Sequence, residues 1–289
     1  MEKRGELTSK QLITIIILIL SFAIIIIFFI SLNLRSTTDS EICRNSVISR
    51  GGLPLGADTI KLKCKTKDIC FNMGGDCDVT RDDLVSIKVQ DKEELIQELA
   101  ILLWDCWYQM GEGKVNYMSA GLGNGEAYCS LCDRVNFDDK IKEIYEEEGG
   151  IPYSKIYIYQ QSTKIPERDE TFLFGIYGVS SLEHFRQDLK DRPNGYDIYS
   201  YRMNPNEEQA VVTAIIKNGV WDNIWAGVAI GAVGSSVIGP VGIVGGGLIG
   251  GAVGFFTADK SINYMQPRYL ESNGAALAAL DCKEFVSGA

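Results

Sequence analysis

Cys129-Ser130-Leu131-Cys132 is the short motif in this 289-residue chain whose residue types and spacing could do chemistry directly. Two thiols three positions apart can form a redox dithiol, half of a tetrahedral zinc site, or two separate half-cystines. A redox pair wants a helix starting at its first cysteine, so that the dipole lowers the thiol pKa. Here the residues that follow, Asp133 to Phe137, look extended. A zinc site needs two more ligands, and because the only histidine is His184 they would have to be Cys106 or more distant cysteines. Structural half-cystines are the reading the residues favour. In extended chain the two side chains face opposite sides, so they should pair with different partners. Cys106, one helix and one glycine-rich loop away, is the nearest candidate.

The other cysteines support that reading. Cys43, Cys64, Cys70, Cys77, Cys106, Cys129, Cys132 and Cys282 are even in number and irregularly spaced through a polar region. Such a set marks a disulfide framework on the oxidising side of a membrane. Spacing does not choose the connectivity.

Further motifs resolve to blander readings. Asp76, Asp78, Thr80 and Asp82 alternate after Gly74-Gly75, but a calcium loop needs glycine at its sixth position and glutamate at its twelfth, where this chain has Arg81 and Ile87. Residues 245–250 fit G-x-G-x-x-G inside an apolar run, with no strand before and no acidic residue at the right distance after. No G-x-S-x-G, Walker A or H-E-x-x-H pattern occurs, and His184 reads as a surface residue. Trp104, Trp107, Tyr108 and Met110 read as core residues, and the turn Gly111-Glu112-Gly113-Lys114 after them has no purpose that spacing reveals. No catalytic residue, metal ligand or cofactor is assigned. A net charge of −10 and a pI near 4.8 argue against nucleic acid as a partner.

The elements that hold these residues begin with an apolar run. Residues 11–34 carry no charge and include ten isoleucines. As a helix they would cover roughly 36 Å, against a hydrocarbon core of about 30 Å. The run is too long for a cleaved signal and has no small-residue cleavage site, so it reads as a transmembrane anchor. Flanking basic residues do not orient it, whereas the cysteines do. Residues 1–10 are then a cytoplasmic stub, and the bulk of the chain is extracytoplasmic at the cell membrane.

A second apolar run, residues 221–257, is rich in glycine. Gly227 and Gly231, Gly242, Gly246, Gly250 and Gly254, and again Gly247 and Gly251 recur at four-residue spacing. On a helix such spacing makes a flat stripe where another backbone can approach closely. Gly239-Pro240 suits a hairpin tip with arms of about seventeen residues, roughly 25 Å each. The pairing of Cys282 with a cysteine before the run would place both flanks on one side. A glycine-zipper hairpin wholly or partly inserted in the bilayer is the favoured reading; the alternative is a helical hairpin buried in a water-soluble core.

The expected architecture is α+β: a disulfide-bonded mixed ectodomain over residues 35–220, interrupted by the hairpin and rejoined by residues 258–289. Alternation predicts strands at residues 58–65 and 84–89. An Asp91 cap predicts a helix ending at Gly111, with further helices at residues 138–148 and from the Ser180/Glu183 capping box to about residue 189. β-Branched and aromatic clusters predict strands at residues 154–160, 171–179 and 209–217.

Cys106-Trp107-Tyr108-Gln109-Met110-Gly111-Glu112-Gly113-Lys114, with Tyr128-Cys129-Ser130-Leu131-Cys132 and Phe137-Asp138, resembles an uncharacterised group of membrane-anchored extracytoplasmic proteins of small-genome archaea. The resemblance implies an anchor, a disulfide-bonded α+β domain and no established activity. The N-terminus is also similar to pilin-like precursors, with Lys3-Arg4-Gly5 where a prepilin peptidase would cut; Lys10 and the late apolar start depart from that pattern. The expected function is a surface or envelope protein whose partners are the bilayer and, through the zipper, a second copy or another membrane protein. The alternatives are a thiol–disulfide oxidoreductase using Cys129 and Cys132, and a pilin-like filament subunit.

Overall fold

The computed structural model describes residues 9–31, 34–52, 60–79, 81–117, 123–190, 198–217, 262–272, 277–278 and 280–286. The chain divides into two units, Met1–Glu41 and Ile42–Ala289. The first holds helix α1 (Ser9–Ser31) and the start of α2 (Leu34–Gly51). Within α1 the side chains described, from Ile13 to Ile24, are exposed apolar residues broken by Thr14 and Ser21, and Ser21 donates to the Ile17 carbonyl at 2.8 Å. The expected anchor at residues 11–34 falls on this helix and on residues 32–33, which lie outside the described residues. Among the described residues no helix is long and apolar enough to cross a membrane. The expected hairpin at residues 221–257, with Gly227, Gly231, Gly242, Gly246, Gly250 and Gly254, also lies outside them.

The second unit is mixed α+β. Its sheet comprises β1 (Lys67–Asn72), β2 (Val85–Lys88), β3 (Ala127–Phe137), β6 (Gln209–Lys217), β7 (Ile262–Glu271) and β8 (Cys282–Val286). The order is β2-β1-β3-β6-β7, with β8 also paired to β3. β1 and β8 share one edge of β3, β1 along its second half and β8 along its first, both parallel to it. β6 and β7 are antiparallel neighbours on the other edge. A register shift between Leu131 and Asp133 puts Cys132 and Asp133 toward the same side. Two short strands, β4 (Ile151–Pro152) and β5 (Arg202–Met203), pair separately.

One face of the sheet is covered by α3 (Lys92–Gln109) with α5 (Tyr153–Ser162), α6 (Phe172–Tyr177) and α7 (Leu182–Lys190). α3 starts as predicted, with the Asp91 carboxylate accepting from the Glu94 amide at 2.8 Å. Leu95, Leu99, Leu103 and Cys106 then bury one face of it. α4 (Asp139–Glu146) is capped by Asp138, whose other oxygen accepts from the Met73 and Gly75 amides. The acidic turn beside it is therefore held by this buried cap and by Cys70–Cys77, and Thr80 lies outside the described residues.

Three strand expectations need correction. Residues 154–160 are helical in α5, because Tyr153, Ile156, Tyr157 and Gln160 bury a face of helical period beside α3, leaving Ile158 exposed. Residues 171–179 hold α6, with Thr171 capping the Phe174 amide and Gly178 closing the helix in the left-handed region at φ 70°. Residues 60–66 form no strand; Cys64 bonds Cys43, and the Lys63 amide donates to Ser46. The expected strands at 84–89 and 209–217 correspond to β2 and β6. α7 is capped one residue later than expected, by Ser181 accepting from the His184 amide.

Candidate functional site

The eight cysteines form four disulfides, Cys43–Cys64, Cys70–Cys77, Cys106–Cys132 and Cys129–Cys282, and none is free. Cys129 and Cys132 are not bonded to each other. Cys129 faces the outer side of the sheet and ties down β8, while Cys132 faces inward and ties α3 to β3. Both are buried in the middle of a strand, so a CxxC dithiol centre is absent and the two sulfurs do different structural jobs. Among the described residues no group of three or more His, Cys, Asp or Glu side chains could hold a metal ion.

Two buried carboxylate sites lie along and just beyond α3, and sequence reasoning missed both. The first is Glu112, in the Gly111-Glu112-Gly113-Lys114 turn. Glu112 itself adopts φ 58°, flanked by Gly111 at 79° and Gly113 at 66°. A Cβ on Gly113 would come within 2.7 Å of the Trp107 ring, so this turn needs its second glycine for space as well as for backbone conformation. The turn drives the Glu112 carboxylate inward to 5% exposure. There Arg168 meets it with both guanidinium nitrogens at 2.8 and 2.9 Å, Arg44 of α2 at 2.9 Å and Lys114 at 3.0 Å.

The cations are themselves held. Arg44 lies 3.8 Å from the centre of the Tyr108 ring and donates to the Tyr108 carbonyl, and Arg168 lies 5.0 Å from the Trp104 ring. Burial alone would raise the Glu112 pKa, but the Arg168 hydrogen bonds and Lys114 outweigh it and bring it down to about 2. The cluster joins α2, the end of α3 and the turn around Arg168. The signal in the sequence was a glutamate between two glycines, with its partners 68 and 56 residues away.

The second site flanks the Cys106–Cys132 disulfide. Asp105 precedes one of these cysteines and Asp133 follows the other. Asp133 is fully buried, and its Oδ2 has no hydrogen-bond partner. Burial pushes it up to about 7, with Lys67 opposing and Asp105 adding to the rise. Burial likewise pushes the half-buried Asp105 up to about 6, again against Lys67 and with Glu98 adding. Lys67 pairs with Asp133 in the β1–β3 register, and Tyr269 of β7, raised by burial and by Asp133, donates to the Leu99 carbonyl at 2.7 Å. Chemically this is a proton store: below pH 6 it holds protons, and at pH 8 it must carry buried negative charge.

No protein-family model, curated protein or solved structure matches this chain.

Proposed function

We propose that the protein is a surface or envelope protein held in a membrane by residues 11–34, with its disulfide-bonded body on the oxidising side and residues 1–10 in the cytoplasm. The observation that carries this reading is the pairing of all eight cysteines downstream of an uncharged run of 24 residues. Leu18 and Ile24 on α1 are 63% and 66% exposed, an apolar surface that water disfavours and lipid accepts.

Within the body, Glu112 is held by Arg44, Arg168 and Lys114, an arrangement that fits a structural role. The glycine stripes of residues 221–257 supply an assembly surface, where a second copy or another membrane protein can pack closely. A thiol–disulfide catalyst working through Cys129 and Cys132 is disfavoured, since the two belong to separate buried disulfides.

Alkaline washing of membranes and protease added to intact cells test the reading. The protein should stay with the membrane through the wash and lose the chain beyond residue 36 to the protease. Release by the wash overturns the anchor, and full protection from protease overturns the orientation.

A further inference from the structure

Lys67 of β1 and Asp133 of β3 are partners across two neighbouring parallel strands. Paired residues of adjacent strands present their side chains to the same face, with the strands about 4.8 Å apart. That face is the inner one. Ile69 and Phe71, on the same side of β1 as Lys67, are 2% and 0% exposed and belong to the core cluster that also holds α3. An amine on a long flexible stem and a carboxyl on a short one therefore meet on one side of the sheet.

α3 supplies a third group. Asp105 precedes Cys106, whose disulfide to Cys132 fastens α3 to β3 directly before Asp133. Lys67 is close enough to both carboxyls for its charge to act on each, and Asp105 in turn acts on Asp133. The place is dry. Asp133 is 1% exposed and its Oδ2 accepts no hydrogen bond, while Val135 and Tyr269 beside it, and its β6 partner Val211, are fully buried. An ammonium and a carboxylate held there lose hydration that their attraction repays only in part, and an amide removes both charges at once.

We propose that Lys67 and Asp133 form a modification site, at which the folded chain joins them by an amide bond between Nζ and Cγ, with Asp105 as the acid–base group. Asp105 takes a proton from the Lys67 ammonium, and the neutral amine attacks Cγ of Asp133 in its carboxylic acid form. The C–N bond forms, Asp105 hands its proton to a carboxyl oxygen of Asp133, and the C–O bond breaks to release that oxygen as water. In all, the nitrogen gives up two protons: one leaves in the water, and the other ends on Asp105, from which solvent removes it. No oxidant, reductant or further reactant takes part.

The site suits each step. Burial pushes Asp133 up to about 7, which leaves a large share of the electrophile protonated near neutral pH, and Asp105 at about 6 can both take and return a proton there. Holding amine and carboxyl face to face raises their effective concentration to on the order of 10⁵ M or more, which the same groups in open water lack. The bond closes residues 67–133 into a ring that reduction does not open, in a body otherwise tied by cystines. Asp133 titrates only in the chain before closure, and only there does its ionisation bear on stability. The inference is independent of the membrane anchor.

Mass spectrometry of the full chain tests this. Purified from membranes, reduced and alkylated at its eight cysteines, the chain should weigh one water less than its alkylated sequence requires. Trypsin should yield residues 66–81, uncut after Lys67, branched onto residues 115–134 through the Asp133 side chain. Lys67→Arg keeps the positive charge, offers no amine and should restore the full mass. Chain made unfolded and then refolded with its disulfides should lose the water over time, and Asp105→Asn should slow that loss about 100-fold. A folded wild-type chain at the full mass, cut normally after Lys67, overturns the proposal, as does a loss of water mapped to any other pair of residues. Equal rates for wild type and Asp105→Asn overturn Asp105 as the acid–base group.

Discussion

Glu112 and Asp133 are both carboxylates enclosed by the same body, one just past the end of α3 and the other beside the Cys106–Cys132 disulfide, yet their affinities for a proton are shifted in opposite directions. Glu112 meets three cations within 3.0 Å, two of them guanidinium groups resting on aromatic rings. Asp133 meets a buried disulfide, a tyrosine and a second carboxylate, with one lysine in opposition. Burial acts in the same direction on both. What decides the outcome is the supply of donors, which brings one down to about 2 and leaves the other near 7. The first site fastens three chain segments together and weakens only in acid; the second lowers stability as pH rises toward neutral.

The sharpest way to break this contrast is Glu112→Gln, which keeps the shape and removes the charge that Arg44, Arg168 and Lys114 share. Leaving these cations without their counter-charge should cost about 3–5 kcal/mol. Urea unfolding of the purified full chain at pH 7 reads the loss. A change below about 1 kcal/mol would place Glu112 among ordinary surface ion pairs.

Asp133→Asn tests the other side. The folded-state pKa of Asp133 and Asp105 lies above the unfolded value near 3.8, so their contribution is fully present below that pH and is lost as pH rises through about 6 and 7. Glu112 has the reverse sign: its contribution is present above the unfolded value near 4.5 and is lost as pH falls toward about 2. Between about pH 4 and pH 7 the two aspartates, while both are free carboxyls, should therefore lower wild-type stability by several kcal/mol. In the asparagine variant the alkaline decline should flatten, with a gain of about 1–3 kcal/mol at pH 8 and little change at pH 4. Thermal unfolding midpoints across pH 3–9 show this, and parallel curves for the two proteins would exclude Asp133 as the source.

The smallest expected effect sharpens the first site. Arg44→Lys preserves the charge and gives up the guanidinium fork that bridges Glu112 and the Tyr108 carbonyl, together with the stacking on Tyr108, so it should cost about 1 kcal/mol in the same urea measurement. A loss as large as that of Glu112→Gln would mean that the stacking, and not the charge, holds α2 to the end of α3.

How legible these sites were follows from where their partners lie. The α3 helix was readable because its cap and its apolar period sit within eighteen residues. So was the separation of Cys129 from Cys132, because alternation in a strand is local. Residues 154–160 show the limit, since Ile156, Tyr157, Ile158 and Tyr159 fit a strand by type, and only packing beside α3 selects the helical face that includes Tyr153 and Gln160. For residues 171–179 the local signals were present in Thr171 and Gly178, and aromatic content outweighed them. The Glu112 cluster was visible only as an unexplained turn, because nothing nearby in sequence announces Arg44 and Arg168. Asp133 looked like any strand residue until the register shift at Cys132 turned it inward.

By itself the sequence determined the period of α3 and its cap at Asp91, the β-branched run of β6, the even set of cysteines after an uncharged run, and the two glycines that make the Glu112 turn possible. Each is written in neighbours a few residues apart, where backbone sterics and hydrogen bonding act directly. The tertiary structure alone decided which cysteines pair, which carboxylate receives cations and which is left with burial, and that β1 and β8 divide one edge of β3. Those outcomes depend on groups as far apart as Cys129 and Cys282, 153 residues along the chain, brought together only once the sheet has formed. Desolvation and Coulomb interaction act through space, so their effect on a side chain is fixed by what the fold places around it.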